Sequence, residues 1–132
     1  MKILVPVAHS EPDQRTAGYV INIGKRLNAQ LVVLRILTEE EPEAAGEKSL
    51  SLFVNIGREE KVPIDAILRR GDIASVIIDV AEEESVNLII FGVSHGEIVA
   101  EWLNATAMEK TDIPIVMIPK WVTAGEKPLP KD

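Results

Sequence analysis

The sequence predicts one α/β domain: a doubly wound parallel sheet of five strands in the order 3-2-1-4-5, with helices on both faces. Three observations carry this. Five short runs rich in apolar and β-branched residues are spaced along the chain, at 2–8 (KILVPVA), 30–37 (QLVVLRIL), 63–68 (PIDAIL), 87–91 (NLIIF) and 114–118 (PIVMI). Helical segments separate them, and strands joined by helices form parallel sheets through right-handed crossovers. Finally, 87–91 lacks polar alternation, as a strand covered on both faces does. Coverage of both faces forces the strand order to reverse, here between strands one and four. Their carboxyl ends then bound the crevice where open sheets of this kind hold ligands.

Each element has its own local cause. The first strand ends around Pro6 to Ala8, where a proline is tolerated only if no ladder bond is needed. Ser10 as N-cap, Pro12 in the first turn and the acids Glu11 and Asp13 start a helix. Its apolar stripe is Ala17, Val20, Ile21, Gly24 and Leu27, and Asn28 closes it. After the second strand, 38–43 (TEEEPE) reads as an exposed, mobile, acidic loop without chemistry of its own. A weaker helical pattern over 44–60 turns Leu52, Phe53 and Ile56 inward, interrupted by Gly57. Arg70-Gly71-Asp72 makes a turn and an N-cap for a strongly amphipathic helix carrying Ile73, Val76, Ile77, Val80 and Ala81. A last helix opens at Glu97, with Ile98, Val99, Trp102 and Leu103 at helical spacing, and Thr111-Asp112 breaks it. Residues 1–119 form the domain. Residues 120–132 form a C-terminal tail, in which Trp121 is expected to pack back on the domain or on a partner subunit.

Composition narrows the function classes. The chain has 132 residues, long enough for one core without staples, and no apolar run approaches the ~20 residues of a membrane span. Met1-Lys2 leads directly into a strand, too short for a signal-peptide core, and there are no cysteines, so the expectation is a soluble cytoplasmic protein without disulfides or sulfur-based zinc sites. The Asn104-Ala105-Thr106 sequon is accordingly without meaning. A net charge of −7 argues against general nucleic-acid affinity, and the basic pairs Lys25-Arg26 and Arg69-Arg70 read as plain surface.

The stretch 86–106 carries what chemistry the chain offers. A buried strand ends at Gly92, the loop Val93-Ser94-His95-Gly96 follows, and Glu97 opens a helix. A Gly-bounded strand-to-helix loop presents backbone N–H groups to an anion. The only two histidines, His9 after strand one and His95 after strand four, fall at the same crevice, and neighbouring strands lie ~4.8 Å apart. An anion site, a metal site completed by Asp13 or Glu97, and an acid–base pair are all compatible with that placement. No helix carries two histidines at i and i+4, so no metal is assigned and the plain reading is two loop imidazoles.

Taken together, the opening KILVPV, the second strand LVVLRIL, the run RRGDIASVIIDVAEEESVNLIIFG, the Gly-bounded loop and the closing PIVMIP resemble the universal stress protein family over nearly the whole chain. The resemblance implies a cytoplasmic α/β domain, a homodimer formed partly through the last strand, and ATP in the crevice of those members that bind it. The ATP-binding branch carries an Asp soon after strand one and a Gly-x2-Gly-x9-Gly-(Ser/Thr) loop. This chain departs from both. Ala8 and His9 stand where the Asp would be, and three residues, not two, separate Gly92 from Gly96. Ala105-Thr106 occupies the Gly-Ser/Thr place, thirteen residues after Gly92. Ala105 adds a Cβ where phosphates need close backbone approach, whereas Thr106 keeps a hydroxyl. On this resemblance the nucleotide-site residues are Pro6, Ala8, His9, Gly92, Ser94, His95, Gly96, Ala105 and Thr106.

Three readings follow. The favoured one is a non-enzymatic universal stress protein domain, homodimeric through Ile115–Ile118, with lost or weakened ATP binding and a role through partners. The second is an adenine-nucleotide binder using the Gly92–Gly96 loop and Thr106. The third, a hydrolase using His9 and His95, lacks a nucleophile elbow, Walker loop, kinase signature or paired-acid motif. An exposed edge strand as apolar as Ile115–Ile118 needs a partner strand or the Trp121 tail to cover it.

Overall fold

The structure is a computed structural model that describes residues 1–8, 14–92 and 111–118. Among these residues five strands and three helices follow in the order β1 (Lys2–Ala8), α1 (Gln14–Arg26), β2 (Gln30–Leu37), α2 (Glu43–Glu60), β3 (Ile64–Arg70), α3 (Ile73–Glu84), β4 (Leu88–Gly92) and β5 (Ile115–Ile118). All neighbouring strands are parallel, in the order β3-β2-β1-β4-β5, as the sequence predicts. Two cores lie on the two sides of this sheet. Ile3, Val5, Leu31, Val33, Ile90 and Ile118 meet α1 and α2, while Leu4, Val32, Leu34, Ile36, Ile89 and Phe91 meet α3. Alternation along each strand sends successive side chains to opposite cores.

Helix ends follow from short polar signals. Asp72 caps α3, its carboxylate accepting from the Ser75 N–H at 3.1 Å and the Ser75 hydroxyl at 2.8 Å. Those bonds favour the ionised carboxylate and hold its pKa below the usual range. Asn28, Lys61 and Ser85 each leave a helix in the left-handed region, with φ of 52°, 59° and 51°, so Asn28 closes α1 as expected. Its predecessor does not behave as the periodicity predicts. Leu27 is 46% exposed, because α1 ends at Arg26 and the turn into Asn28 leaves this residue outside the buried stripe of Ala17, Val20, Ile21 and Gly24. Strand limits also shift. β3 runs on through Arg69 and Arg70, which stay in register with Ile36 and Leu37. Asn87 lies just outside β4, its N–H donating to the Lys2 carbonyl and its side-chain oxygen accepting from the Lys2 N–H, both at 2.8 Å. The Ser10 cap and the Glu97 helix lie outside the described residues.

The loop between β2 and α2 is the main correction to the sequence reading. It is not merely a solvated acidic run. Arg35 sits in the middle of an apolar strand at 1% exposure. Its Nη2 meets Glu41 Oε2 at 2.6 Å, its Nε donates to Ser49 Oγ at 3.3 Å, and its Nη1 donates to the Ile36 carbonyl. Glu41 also accepts from the Thr38 N–H at 2.9 Å, so the loop is folded around a buried charge. Ser49 in turn donates to the Ala45 carbonyl at 3.2 Å. No described buried side-chain polar atom lacks a partner.

The hydrogen bond from Arg35 is the largest influence on Glu41 and lowers its pKa from 4.5 to about 2, against the opposing effect of burial. A carboxylate with a depressed native pKa stabilises the fold above its unfolded pKa and loses that contribution as pH falls through the native value. Glu41→Gln should therefore destabilise the protein by about 3 kcal/mol at neutral pH, since the Arg35 charge stays buried without its counter-ion. It should also flatten the acid limb of the wild-type stability curve between pH 4.5 and 2. Urea denaturation across that range reads both effects; a variant with the wild-type acid limb would show that other carboxylates carry it.

Candidate functional site

The carboxyl ends of β1 and β4 are the place to look, because the strand order reverses between them. β1 pairs with β2 on one side along its whole length, from Lys2↔Gln30 to Ala8↔Ile36. On the other side its pairing with β4 covers only Ile3↔Leu88 and Leu4↔Ile89. The hydrogen-bond ladder between β1 and β4 thus stops at Leu4, although the two strands stay neighbours along β4.

Pro6 accounts for the early end of this ladder. In a strand, alternate residues turn their backbone groups to the same neighbour. Lys2 turns its carbonyl toward the β4 side, where it accepts from Asn87, so Leu4 and Pro6 address β4 as well. A ladder running past Leu4 would next need an N–H from residue 6, and proline has none. Pro6 is buried and level with Leu34 of β2. Its place in a central strand is tolerable because the missing donor falls on one side only, and the β2 side stays paired through Ala8. The expectation that no ladder bond is required there holds in this specific sense.

Of the other candidate residues, Ala8 ends β1 and Gly92 ends β4, the latter level with Ile118 of β5. The structure thus brings the two strand ends to one end of the sheet on adjacent strands. His9, Ser94, His95, Gly96, Ala105 and Thr106 lie outside the described residues, as do Asp13 and Glu97. Among the described residues no group of three or more His, Asp or Glu side chains could hold a metal ion. No described helix is long and apolar enough to cross a membrane.

Two further features were not anticipated. The loop after β2 stands next to the end of β1, since Ala8 is level with Ile36. Arg35 and Arg70 tie that loop down, Arg70 by donating to the Thr38 carbonyl. A lone arginine within an apolar strand, six residues before a glutamate, is the signal that would have found this clasp. At the opposite end of the sheet a cleft of about 370 Å³ lies between the last turns of α1 and α2, lined by Gly24, Asn28, Lys61 and Pro63 among others. Lys25 and Glu60 close an ion pair of 3.1 Å at this cleft. It lies far from the reversal of strand order.

A scan of protein-family models matches the Usp model, the universal stress protein family, over residues 1–108. The chain belongs to the universal stress protein family. A search of curated proteins found no match. Solved structures of similar fold include a universal stress protein family member from Burkholderia pseudomallei, with a TM-score of 0.70 and 21% identity, covering 89% of this chain and 95% of that one. The universal stress protein from Archaeoglobus fulgidus in complex with dAMP has a TM-score of 0.69 and 21% identity over 90% and 98% of the two chains. A family protein from Arabidopsis thaliana with AMP bound has a TM-score of 0.66 and 18% identity, over 89% of each chain. At these identities the likeness shows the fold, which is the five-stranded parallel sheet described above.

The role given to Pro6 has a direct check. Pro6→Val restores a backbone donor opposite the β4 ladder, so the residue-6 amide should exchange with solvent as slowly as that of Leu4. Native-state hydrogen exchange measures it, and a fast amide at position 6 would show that the ladder ends at Leu4 for another reason.

Proposed function

We propose that this universal stress protein is a non-enzymatic homodimer whose crevice takes an adenine mononucleotide weakly. The observation that carries the ligand reading is the reversal of strand order between β1 and β4, whose carboxyl ends lie on adjacent strands at one end of the sheet. Fold relatives carry AMP and dAMP. The residues around this crevice explain why affinity should be low. No carboxylate stands at Ala8 or His9, and Ala105 replaces a glycine of the family's phosphate loop. Backbone N–H groups of 92–96 and the Thr106 hydroxyl remain as donors for a phosphate. Nothing in the sequence supplies a nucleophile with its base, which argues against turnover.

The dimer reading rests on the two edges of the sheet. β3 carries three charged side chains, with Asp65 and Arg70 exposed and Arg69 in a 2.6 Å ion pair with Glu83. Charge on an edge strand discourages pairing with another chain. On β5 the side chains are Ile, Val, Met and Ile, with Val116 42% and Met117 39% exposed. A second copy pairing along β5 would cover them and satisfy the outer row of backbone groups.

Thermal denaturation with AMP, ATP and GMP tests the ligand reading. Ligand at ten times its Kd contributes about 1.4 kcal/mol, which for a chain of this length raises Tm by roughly 4–6 °C. AMP in the millimolar range should produce such a rise and GMP should not; no shift with either adenine nucleotide would remove the reading. The dimer is tested separately by light scattering at micromolar concentration, where the wild type should give the mass of two chains and Val116→Lys the mass of one. A single-chain mass for the wild type would refute the β5 interface.

A further inference from the structure

The turn after β2 is held more firmly than a surface turn requires. Thr38 to Glu41 is closed by the Glu41 N–H donating to the Thr38 carbonyl at 3.3 Å, the one bond that such turns usually have. Further ties reach the same few residues. Arg35 meets both oxygens of the Glu41 carboxylate, Nη2 to Oε2 at 2.6 Å and Nη1 to Oε1 at 3.4 Å, and Oε1 also accepts from the Thr38 N–H at 2.9 Å. From the β3 side, Arg70 donates to the Thr38 carbonyl, and the Gly71 N–H donates to the Leu37 carbonyl at 3.3 Å. The two central residues, Glu39 and Glu40, take no part: both are exposed, and among the described residues no hydrogen bond uses their backbone groups. Stability does not explain this arrangement, because replacing a buried ion pair by apolar side chains is commonly neutral or stabilising. The ties fix a place instead. Ala8, the last residue of β1, is level with Ile36, so the turn begins on the β2 flank of β1, at the end of the sheet where β1 and β4 both finish. Connections at the carboxyl ends of such strands line the ligand crevice.

We infer that Arg35, Glu41 and Arg70 are positioning residues for the nucleotide: they hold the Thr38–Glu41 turn in one geometry as the β2 wall of the crevice, an inference that rests on the nucleotide reading above. None of the three has to touch the ligand. A turn that is already fixed loses little freedom when a ligand meets it, so its order raises affinity without adding a contact. Arginine suits the task because its planar fork takes a carboxylate in one orientation, whereas a lysine would act as a point charge on a flexible stem. The chain has particular use for such a wall, since no carboxylate stands at Ala8 or His9 to hold a nucleoside from the β1 corner.

The test titrates AMP and adenosine into the isotope-labelled full chain and reads the Kd beside the exchange rate of each backbone amide. Two variants are compared with the wild type. Arg35→Met combined with Glu41→Leu removes the buried pair together, so that no charge is left unanswered, and Arg70→Ala acts at an exposed position. As a control, Lys25→Gln combined with Glu60→Gln breaks the ion pair between α1 and α2 at the opposite end of the sheet. Both test variants should raise the Kd for AMP severalfold, on the order of tenfold for the paired one, and speed exchange of the Thr38 and Glu41 amides while the strand amides stay protected. Adenosine, which has no phosphate, should lose affinity by the same factor, and the control should bind as the wild type does. Wild-type affinity in both test variants overturns this inference and leaves the nucleotide reading standing, whereas a wild type that binds neither ligand removes both. Equal weakening in the control also overturns it, because loosening anywhere would then have the same effect. A loss confined to AMP in Arg70→Ala overturns the positioning role of Arg70, since that side chain would then meet the phosphate itself. If the paired variant loses strand protection, Arg70→Ala decides alone.

Discussion

Every element of this fold takes its position from β1, and β1 is under an unusual constraint. It has a neighbour on each edge and a helix layer on each face, so its side chains must be apolar in both directions and its backbone must be paired on both sides. Ile3, Leu4 and Val5 meet the first demand at 1% exposure or less. Pro6 breaks the second, and it does so at one position and toward one neighbour. The β2 side of the strand stays paired to Ala8 while the β4 side stops at Leu4. The ladder is thus interrupted where the connections on the two sides diverge, while the two strands remain neighbours. The crevice itself follows from the reversal of strand order.

The second constraint is electrical. A guanidinium taken out of water costs several kcal/mol unless its hydrogen bonds and charge are answered in place. At Arg35 they are, by Glu41, Ser49 and the Ile36 carbonyl. An apolar residue would be the easier occupant of a strand interior, so the arrangement stabilises little against that alternative. Its effect is positional. One carboxylate fixes both the arginine and the Thr38 N–H, so the turn entering α2 has one geometry. The close approach of α2 depends on the same region: a Cβ on Gly46 would come within 3.4 Å of Arg35 Cγ and far closer to Leu68. Helix, turn and buried charge are therefore one packing unit at the edge of the crevice.

How far this was legible in the sequence depends on the kind of signal. Strand order, the β2 limits and the α3 cap were readable because they follow from local periodicity and a side chain two or three residues away. Asp72 needs only Ser75. Leu27 was misplaced because periodicity does not say where a helix stops, and a single turn decides whether the last apolar residue is inside. The Arg35 clasp was missed because the acids of 38–43 were read as one charge run, although Glu39 and Glu40 are exposed and only Glu41 reaches inward. Composition treats three adjacent glutamates alike; geometry does not. For the candidate site, sequence could name the corner residues and the strand ends that carry them. It could not show that Pro6 opens one ladder and leaves the other intact, since that requires knowing which neighbour each backbone group faces.

The two edges of the sheet complete the argument about association. Among the described residues both present an unpaired row of backbone groups, and an unprotected edge of this kind is a template for another chain. β3 answers with charge. Arg69 is held by Glu83, and Arg70 is folded back onto the Thr38 carbonyl. Those side chains have intramolecular partners, so a strand docking there would have to displace them. β5 has no such groups, and its exposed residues gain by being covered: about 25 cal/mol for each Å² of apolar surface removed from water. The same short strand faces two directions, a free edge and a face beside α1. An edge can be satisfied only by hydrogen bonding to another strand, whereas the face needs only apolar contact.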